Sequence, residues 1–271
     1  MNEIEINEIL KNHDENNSIQ IANGKSKTIY STIHNDLCLM KYKPHLRSIT
    51  SNREENISGT DYWRMRSTLD IFKKLEKSGI PTHLAHDEII EHNDTSSLYL
   101  LVKKVTPIPI EWICRYIAAG SIVRLFPSIV RQGQVFQEPL LKYDFKQDIS
   151  VSGVDDPTLN ESYIVGLKIL TREQLDESIV LLKLVGQLVN ECLFTLGIKL
   201  IDMKMEFGFD SKGKIIVIDE ISQDCIRAED MYTGLPLTKD VFRQLKTPEE
   251  IIKAYENFAN RLSAISRVDS D

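Results

Sequence analysis

The stretch Leu200–Arg227, LIDMKMEFGFDSKGKIIVIDEISQDCIR, predicts a β-hairpin around which the rest of the chain can be organised. Two strand-like runs, Ile198–Phe209 and Lys214–Ile221, flank the turn sequence Asp-Ser-Lys-Gly. An extended backbone directs alternate residues to opposite faces. One face of the first run therefore carries the polar residues Asp202, Lys204 and Glu206, and the other carries Met203, Met205 and Phe207.

The polar face of this hairpin has two interpretations. If the turn is the two-residue Lys212-Gly213, Glu206 lies directly opposite Asp219, and facing carboxylates destabilise a strand pair unless a cation lies between them. Carboxylate oxygens are ligands that Mg²⁺ accepts, usually together with nucleotide phosphates. A magnesium–nucleotide site is one interpretation, and a solvated hairpin face is the other.

The composition indicates a globular protein with one large or two small domains. The chain has 271 residues, of which 42% are hydrophobic and 27% charged. A net charge of −7 argues against a general nucleic-acid or anionic-membrane binder. The N-terminus lacks the basic start of a signal peptide, and we find no apolar run near the roughly 18 residues of a membrane helix. Four scattered cysteines predict reduced thiols, and we expect a cytoplasmic protein.

The N-terminal part predicts a second hairpin with lysines beside a glycine turn. It spans Ser18–Thr32 and turns at Asn23-Gly24, with Lys25 and Lys27 just after the turn. A Walker loop is excluded because the leading glycine is missing and the following residues are strand-like. Backbone amides and lysines favour anions, so this hairpin suits nucleotide phosphates, while an ordinary hairpin with exposed lysines is the alternative.

Several further elements follow from local patterns. We predict a long loop over Lys43–Ser58, a helix over Thr60–Ser78, and a hairpin from Ala85–Glu91 and Leu98–Val105. The proline-rich connection that follows predicts a domain boundary near Thr106. The chain then divides into a β-rich N-terminal lobe, residues 1–105, and an α+β C-terminal lobe, residues 106–271.

The C-terminal lobe contains a second candidate anion site. Ile108–Phe126 predicts a strand carrying Arg115, a small-residue turn, and a short helix beginning near Ser121. An arginine beside a helix N-terminus suits phosphate, although a surface arginine beside an ordinary helix cap fits as well. The remaining predictions are an irregular segment Gln132–Asp156 and helices over Thr171–Leu196, Thr238–Leu245 and Thr247–Ile265.

Six motifs in this order resemble the SAICAR synthetase family, over residues of about 20 to 262. They are Gly24-Lys-Ser-Lys-Thr-Ile-Tyr30, Ser78-Gly-Ile-Pro-Thr-His83, Leu101-Val-Lys-Lys104, Ile110-Glu-Trp-Ile-Cys-Arg115 with Ala118-Ala-Gly-Ser121, Leu200-Ile-Asp-Met-Lys-Met-Glu-Phe-Gly208, and Asp219-Glu220. The resemblance implies an ATP-grasp-like fold of class α+β, with a smaller β-rich N-terminal lobe and ATP in the cleft between the lobes.

The resemblance also implies an activity. The family joins L-aspartate to the carboxylate of CAIR with ATP and Mg²⁺, through an acyl phosphate, and gives SAICAR, ADP and phosphate. These partners are small molecules, with no nucleic acid or membrane among them, and a homo-oligomer is expected from the family. Phosphorylation turns a poorly electrophilic carboxylate into an acyl phosphate that an amine can displace. Such a reaction needs neutralised charge and good positioning more than a protein nucleophile.

Residue roles follow from the resemblance position by position. Residues expected at ATP are Lys25, Lys27, Val105, Lys146, Glu206 and Asp219. Glu206 and Asp219 are also the expected Mg²⁺ ligands. Residues expected to hold CAIR and its phosphate are Arg115, Ser121, Lys204 and Arg227. The catalytic positions are Lys204, Arg227 and Asp202, the last of which lines the CAIR pocket.

Two segments depart from the family pattern. The first, residues 46–66, lacks the usual Ser-Ala-Phe-Asp-type loop over Leu46–Arg53 and has an altered helix entry over Gly59–Arg66. The second, Asp224–Ala228, is Asp-Cys-Ile-Arg-Ala where the family has Asp-x-Ser-Arg followed by Trp. These differences lie nearer the expected substrate site than the ATP site. Two alternatives therefore remain open: a paralogue with the same ATP chemistry on another acid or amine, and a nucleotide-binding protein without ligase activity.

Overall fold

The computed structural model describes residues 3–15, 17–49, 51–92, 94–147 and 156–268. The helices are α1 (Glu3–Lys11), α2 (Thr60–Lys77), α3 (Ser121–Leu125), α4 (Glu161–Gly166), α5 (Arg172–Thr195), α6 (Asp240–Arg243) and α7 (Pro248–Val268). The strands are β1 (Gln20–Asn23), β2 (Lys27–Ser31), β3 (Leu37–Tyr42), β4 (His45–Ser48), β5 (Arg53–Asn56), β6 (Ile90–Glu91), β7 (Leu98–Lys103), β8 (Thr106–Ile117), β9 (Val135–Phe145), β10 (Thr158–Leu159), β11 (Ile198–Phe209), β12 (Ile215–Ile218) and β13 (Ile226–Asp230). The α+β class is confirmed.

The N-terminal sheet has five antiparallel strands in the order β1-β2-β3-β7-β6. Its outer face is covered by α1, whose Ile9 and Leu10 join a small apolar cluster with Tyr30, Leu39 and Tyr99. The predicted hairpin of Ser18–Thr32 is present as β1 and β2. Lys27 is the first residue of β2, and its ammonium donates hydrogen bonds to Asp219 and Glu220, which directly follow β12 of the C-terminal sheet.

The C-terminal sheet carries the polar face predicted from the hairpin. Its order is β10-β9-β8-β11-β12, and β13 also pairs with β11. Met203, Met205 and Phe207 are at most 1% exposed and belong to the main core, as the alternation predicts. Helix α5 packs on the same core.

Helix α5 begins and packs as the sequence predicts. Thr171 and Gln174 form the expected capping box at its start. By length and composition alone α5 could span a membrane, contrary to our expectation of no run of that length. Its buried side chains, from Leu175 to Leu193, are part of the protein core, whereas Val180, Leu184 and Phe194 are exposed.

Residues Pro81–Leu84 connect the two sheets. Val217 of β12 donates its N–H to the Pro81 carbonyl at 3.0 Å, and His83 donates to the Val217 carbonyl at 2.9 Å. The Lys103 N–H of β7 in turn donates to the His83 carbonyl at 2.6 Å. One short segment is therefore hydrogen-bonded to β12 of the C-terminal sheet and to β7 of the N-terminal sheet, and it links the two sheets.

Two predicted irregular regions contain strands instead. Lys43–Ser58 forms the β4–β5 hairpin, in which charged residues pair across the strands, with His45–Glu54 at 2.9 Å and Arg47–Glu54 at 3.5 Å. Gln132–Asp156 contains β9, an 11-residue strand beside β8. Both predictions failed because these strands are stabilised by polar cross-strand pairs and by neighbours in the sheet, not by apolar alternation. Residues 148–155 lie outside the described part of the chain.

Candidate functional site

The polar face of the C-terminal sheet is built by cross-strand registration of β8, β11 and β13. Asp202 pairs with Arg115 on one side and with Arg227 on the other. Glu206 pairs with Glu111. Glu206 lies four residues after Asp202, and Glu111 lies four residues before Arg115, so both are on the same face as that pair. The residues that sequence analysis placed on one face of β11 therefore do share a face, and β8 adds its own polar residues to it.

An arginine-rich corner lies at one end of this face. Arg115 Nε donates to Asp202 Oδ2 at 3.0 Å, and Arg227 Nε lies 3.7 Å from Asp202 Oδ1 and 3.3 Å from Asp240 Oδ2. The Gly120 backbone packs against the Arg227 guanidinium, because a Cβ at this position would lie only 2.7 Å from Arg227 Nη1. Ser121 follows as the first residue of α3. The structure thus brings Arg115, Asp202 and Arg227 together, with Ser121 next to Gly120. Lys204, the fifth residue expected at this region, lies two residues along β11 from Asp202.

Two lysines neutralise carboxylates in the middle of the face. Lys146 Nζ lies 2.6 and 2.7 Å from the two oxygens of Glu206. Lys204 forms an ion pair with Glu111, which holds the pKa of Lys204 well above its ordinary value although burial opposes the shift. Both lysines are therefore charged at neutral pH and fixed by carboxylates at the sheet surface.

Glu206 and Asp219 form the carboxylate pair of the site, but not by the register expected. Glu206 pairs with Ile218, so a two-residue turn is wrong. The connection runs from Asp210 to Lys214, and the Asp210 side chain accepts the backbone N–H groups of Lys212 and Lys214, both at 2.8 Å. This longer turn moves the register by one residue.

Asp219 adopts a left-handed backbone conformation one residue beyond the partner of Glu206. Asp219 has φ of 66° directly after β12 ends. Burial and the charge of Asp219 raise the pKa of Glu206, although Lys146 and Lys204 oppose the shift. Burial also disfavours charge on Asp219, but Lys27 and Lys146 outweigh it and hold the pKa of Asp219 below its ordinary value.

Lys27 enters this carboxylate pair from the N-terminal sheet. Its Nζ lies 2.9 Å from Asp219 Oδ2 and 2.7 Å from Glu220 Oε1. The two acids hold the pKa of Lys27 well above its ordinary value although burial opposes the shift. Lys25 is exposed in the turn before β2, and Val105 is half-buried between β7 and β8. Of the residues expected at ATP, Lys27 is thus joined to Asp219, and Lys146 to Glu206.

The donor set around Glu206 and Asp219 suits a hard divalent cation that also binds phosphate. Within the described residues no group of three or more His, Cys, Asp or Glu side chains is arranged to hold a metal alone. Two carboxylates fit Mg²⁺, which usually takes one or two protein carboxylates and completes its shell with water and phosphate oxygens. The surrounding lysines fit the same phosphates. The residues present therefore suit a magnesium nucleotide better than a bare metal ion.

His83 lies behind Asp219 and was not assigned a role from the sequence. It is 4% exposed, and burial lowers its pKa to about 4, an effect that the charge and backbone of Asp219 oppose. Its Nε2 has no hydrogen-bond partner within the described part of the chain. The ring packs edge-on against Phe72 with centroids 5.5 Å apart. His83 is therefore a neutral group at neutral pH, packed between the core and Asp219.

Two more charged residues of the site escaped the sequence analysis. Glu111 shares the face of Arg115 because the two are four positions apart on one strand, so the alternation alone could have found it. Arg64 is fully buried on α2 and pairs with Glu220. The signal for Arg64 was a charge on the buried stripe of a helix, which requires a partner of opposite charge.

Known proteins resemble this chain over nearly its whole length. A sequence model described as SAICAR synthetase matches residues 20–262. Phosphoribosylaminoimidazole-succinocarboxamide synthase of Methanosarcina acetivorans is 38% identical over 243 residues, covering 90% of this chain and 96% of that protein. The enzyme of the same name from Methanocaldococcus jannaschii is 35% identical over 267 residues, covering 97% and 100%.

Solved structures show the same likeness. The crystal structure of phosphoribosylaminoimidazole-succinocarboxamide synthase from Ehrlichia chaffeensis has a TM-score of 0.79 at 29% identity, covering 91% of this chain and 99% of that one. A SAICAR synthetase in complex with ADP has a TM-score of 0.78 at 28% identity, covering 90% and 97%. The residues matched by sequence contain every strand from β1 to β13.

Proposed function

The chain belongs to the SAICAR synthetase family of ATP-dependent ligases in purine biosynthesis, and we propose that its own cleft joins L-aspartate to the carboxylate of CAIR. One observation carries the proposal. The carboxylates of Glu206 and Asp219 lie together on a buried sheet face, flanked by Lys27 and Lys146, next to the arginine corner. Such a face can hold a magnesium nucleotide beside an anionic substrate.

The cleft lies between the two lobes expected from the sequence, residues 1–105 and 106–271. ATP enters between the β1–β2 hairpin and the C-terminal sheet, with the adenine near Val105 and the phosphates near Lys25, Lys27 and Lys146. Glu206 and Asp219 would hold Mg²⁺ beside those phosphates. When bound, Mg²⁺ neutralises charge on the phosphates during transfer.

CAIR occupies the arginine corner. Arg115, Arg227 and Ser121 bind its phosphate, since guanidinium groups and hydroxyls are strong phosphate donors. Asp202 binds Arg115 at 3.0 Å, and Arg227 lies between Asp240 at 3.3 Å and Asp202 at 3.7 Å, so both arginines have carboxylate neighbours before the substrate arrives. Lys204 lies two residues along β11 from Asp202, between this corner and Glu206. That position suits contact with the CAIR carboxylate.

The reaction then needs two steps that these residues can support by charge and position. The CAIR carboxylate oxygen attacks the γ-phosphorus of ATP, the bond to ADP breaks, and an acyl phosphate forms. The amine of L-aspartate attacks the acyl carbon, phosphate leaves, and the amide loses a proton. Lys27, Lys146 and Lys204 offset the negative charge that gathers in the first step.

The deciding experiment is ADP release by the purified protein with Mg-ATP, omitting CAIR or L-aspartate in turn. We expect turnover only when both are present. ADP release that ignores CAIR, or tight ATP binding with no release at all, would refute the proposal. Replacing L-aspartate with other amino acids, or CAIR with other carboxylates, tests the altered Asp224–Ala228 segment in the same assay. Faster turnover with another pair would identify a different substrate.

We further propose that the protein works in the cytoplasm as a homo-oligomer. Within the described chain none of the four cysteines forms a disulfide, which supports a reducing compartment. Light scattering of the purified protein measures its mass against the 31.1 kDa of one chain. A mass of one chain at micromolar concentration would refute the oligomer.

A further inference from the structure

Arg64 is a fully buried charge next to the site, with 0% of its side chain exposed. It lies on the face of α2 that packs inward with Thr60, Thr68 and Leu75. A buried guanidinium is costly unless its charge and its N–H groups are matched. Its partners therefore define what Arg64 does.

Its hydrogen-bonded carboxylate is Glu220, 156 positions away along the chain, and Asp224 Oδ2 adds a second negative charge 3.7 Å from Arg64 Nε. Arg64 Nη2 donates to Glu220 Oε1 at 2.7 Å and Nε donates to Oε2 at 3.3 Å, so the two groups meet as a fork. Arg64 Nη1 also donates to the Lys43 carbonyl at 3.2 Å, directly after β3. Arg64 is thereby fixed to both lobes.

Glu220 stands between Arg64 and the lysine assigned to the ATP phosphates. Its Oε1 accepts from Lys27 Nζ at 2.7 Å, and its Oε2 accepts from the Ser222 hydroxyl at 2.6 Å. Arg64 and Lys27 together hold the pKa of Glu220 well below its ordinary value, although burial opposes them. Glu220 is therefore a fixed anion with a cation on each side.

We propose that Arg64 is a positioning residue for nucleotide binding, which acts on Lys27 through Glu220. This rests on the proposed function in one respect, namely that Lys27 contacts the phosphates. Arg64 holds the Glu220 carboxylate in one orientation and offsets part of its negative charge. Glu220 then orients the Lys27 ammonium without neutralising it fully, so the ammonium stays available to an incoming phosphate.

A purely structural role for Arg64 makes a different prediction. If Arg64 only offsets the buried charge of Glu220, removing both charges together restores stability and nucleotide affinity alike. If Arg64 positions Lys27, removing both charges restores stability but not affinity, since Lys27 keeps only Asp219, at 2.9 Å, and loses the fixed Glu220 carboxylate. The double variant therefore separates the two roles.

The experiment compares Arg64→Met, Arg64→Lys and the double variant Arg64→Met/Glu220→Gln with the wild type. Titration calorimetry with ADP and Mg²⁺ gives the affinity, steady-state kinetics give KM for ATP and kcat, and calorimetry gives Tm. Arg66→Met is the matched control, because Arg66 is on the same helix but pairs with Asp70 at 3.2 Å and is 38% exposed.

We expect Kd for ADP and KM for ATP to rise about tenfold in Arg64→Met and in the double variant, with a smaller change in kcat. Tm should fall in Arg64→Met and recover in the double variant, which remains the test should Arg64→Met fail to fold. Arg64→Lys keeps the charge without the fork and should fall between wild type and Arg64→Met in affinity. Arg66→Met should bind ADP within about twofold of wild type.

Wild-type ADP affinity in the folded double variant or in Arg64→Met would overturn the positioning role, as would equal weakening in Arg66→Met. Failure of the proposed function has a separate signature. In that case the wild type shows no turnover that depends on CAIR, whatever the Arg64 variants do to ADP binding.

Discussion

Asp219 is not the cross-strand partner of Glu206, and its left-handed backbone follows directly after the residue that is. Glu206 pairs with Ile218, and Asp219 follows with φ of 66°. This conformation costs an L residue other than glycine roughly 1–2 kcal/mol, although Asp and Asn tolerate it better than most. The carboxylate pair of the site is therefore held at some cost to stability, as is common where function requires it.

Asp219→Asn should separate charge from backbone shape at this position. Asn accepts the left-handed conformation, so Tm should change by only a few degrees, while turnover falls about a hundredfold or more because a charged ligand is lost. Asp219→Val should lose a further ~1 kcal/mol or more of stability. Activity assays and calorimetry check both values. Wild-type turnover in Asp219→Asn would disprove the metal assignment, and equal Tm in the Asn and Val variants would disprove the strain.

Glu206→Gln should abolish turnover and leave the fold intact. Burial and Asp219 raise the pKa of Glu206 above its ordinary 4.5, so its stabilising contribution is present below that pH and is lost as the pH rises. The variant should therefore be at least as stable as wild type at pH 7, and its relative advantage should shrink toward pH 4. Thermal unfolding at both pH values measures this difference. Retained turnover, or a large loss of Tm at pH 7, contradicts the expectation.

Glu220→Gln should have the opposite pH signature. Arg64 and Lys27 hold the pKa of Glu220 below its ordinary 4.5, so its stabilisation is present above that pH and is lost as the pH falls. Breaking this buried network should lower Tm at pH 7 by roughly 10 °C, and the loss should be smaller near pH 3. Glu54→Gln is the control, because Glu54 is 58% exposed and its variant should change Tm little. A pH-independent difference between Glu220→Gln and wild type would contradict the linkage.

Gly120→Ala should weaken CAIR binding and spare ATP binding. A Cβ at this position meets Arg227 Nη1 at 2.7 Å, and φ of 67° adds strain of its own. We expect KM for CAIR to rise about tenfold through displacement of Arg227, with KM for ATP unchanged. Gly133→Ala is the matched control, since Gly133 has φ of 79° but nothing within 4 Å of its Cβ. Equal kinetic effects of the two substitutions would show that strain alone, and not Arg227, is responsible.

The sequence predicted the chemistry of the site better than its geometry. Alternation along β11 was enough to put Asp202, Lys204 and Glu206 on one face, because a strand has a fixed period of two. The approach of Asp219 was predicted through the wrong turn, since the Asp210 side chain organises a longer connection. Asp219 still influences the pKa of Glu206, although the two residues are not cross-strand partners.

Long-range and polar elements were the hardest to predict. The pairing of Arg64 with Glu220 spans 156 positions, and no local pattern specifies a partner at that distance. Strands β4 and β9 have polar faces, and they become strands because a neighbouring strand supplies hydrogen bonds and ion pairs. Capping residues such as Thr171 and Gln174 were predicted correctly because both partners lie within four residues.

Residues Pro81–Leu84 also bear on how the chain can be divided. Their backbone is hydrogen-bonded to Val217 of β12 as well as to Lys103 of β7, so one segment is a neighbour of both sheets. A cut near Thr106 would strip β12 of a neighbour in one fragment and leave unpaired backbone groups in the other. We therefore expect neither fragment to fold by itself, co-expressed fragments to assemble, and the intact chain to melt in one cooperative transition.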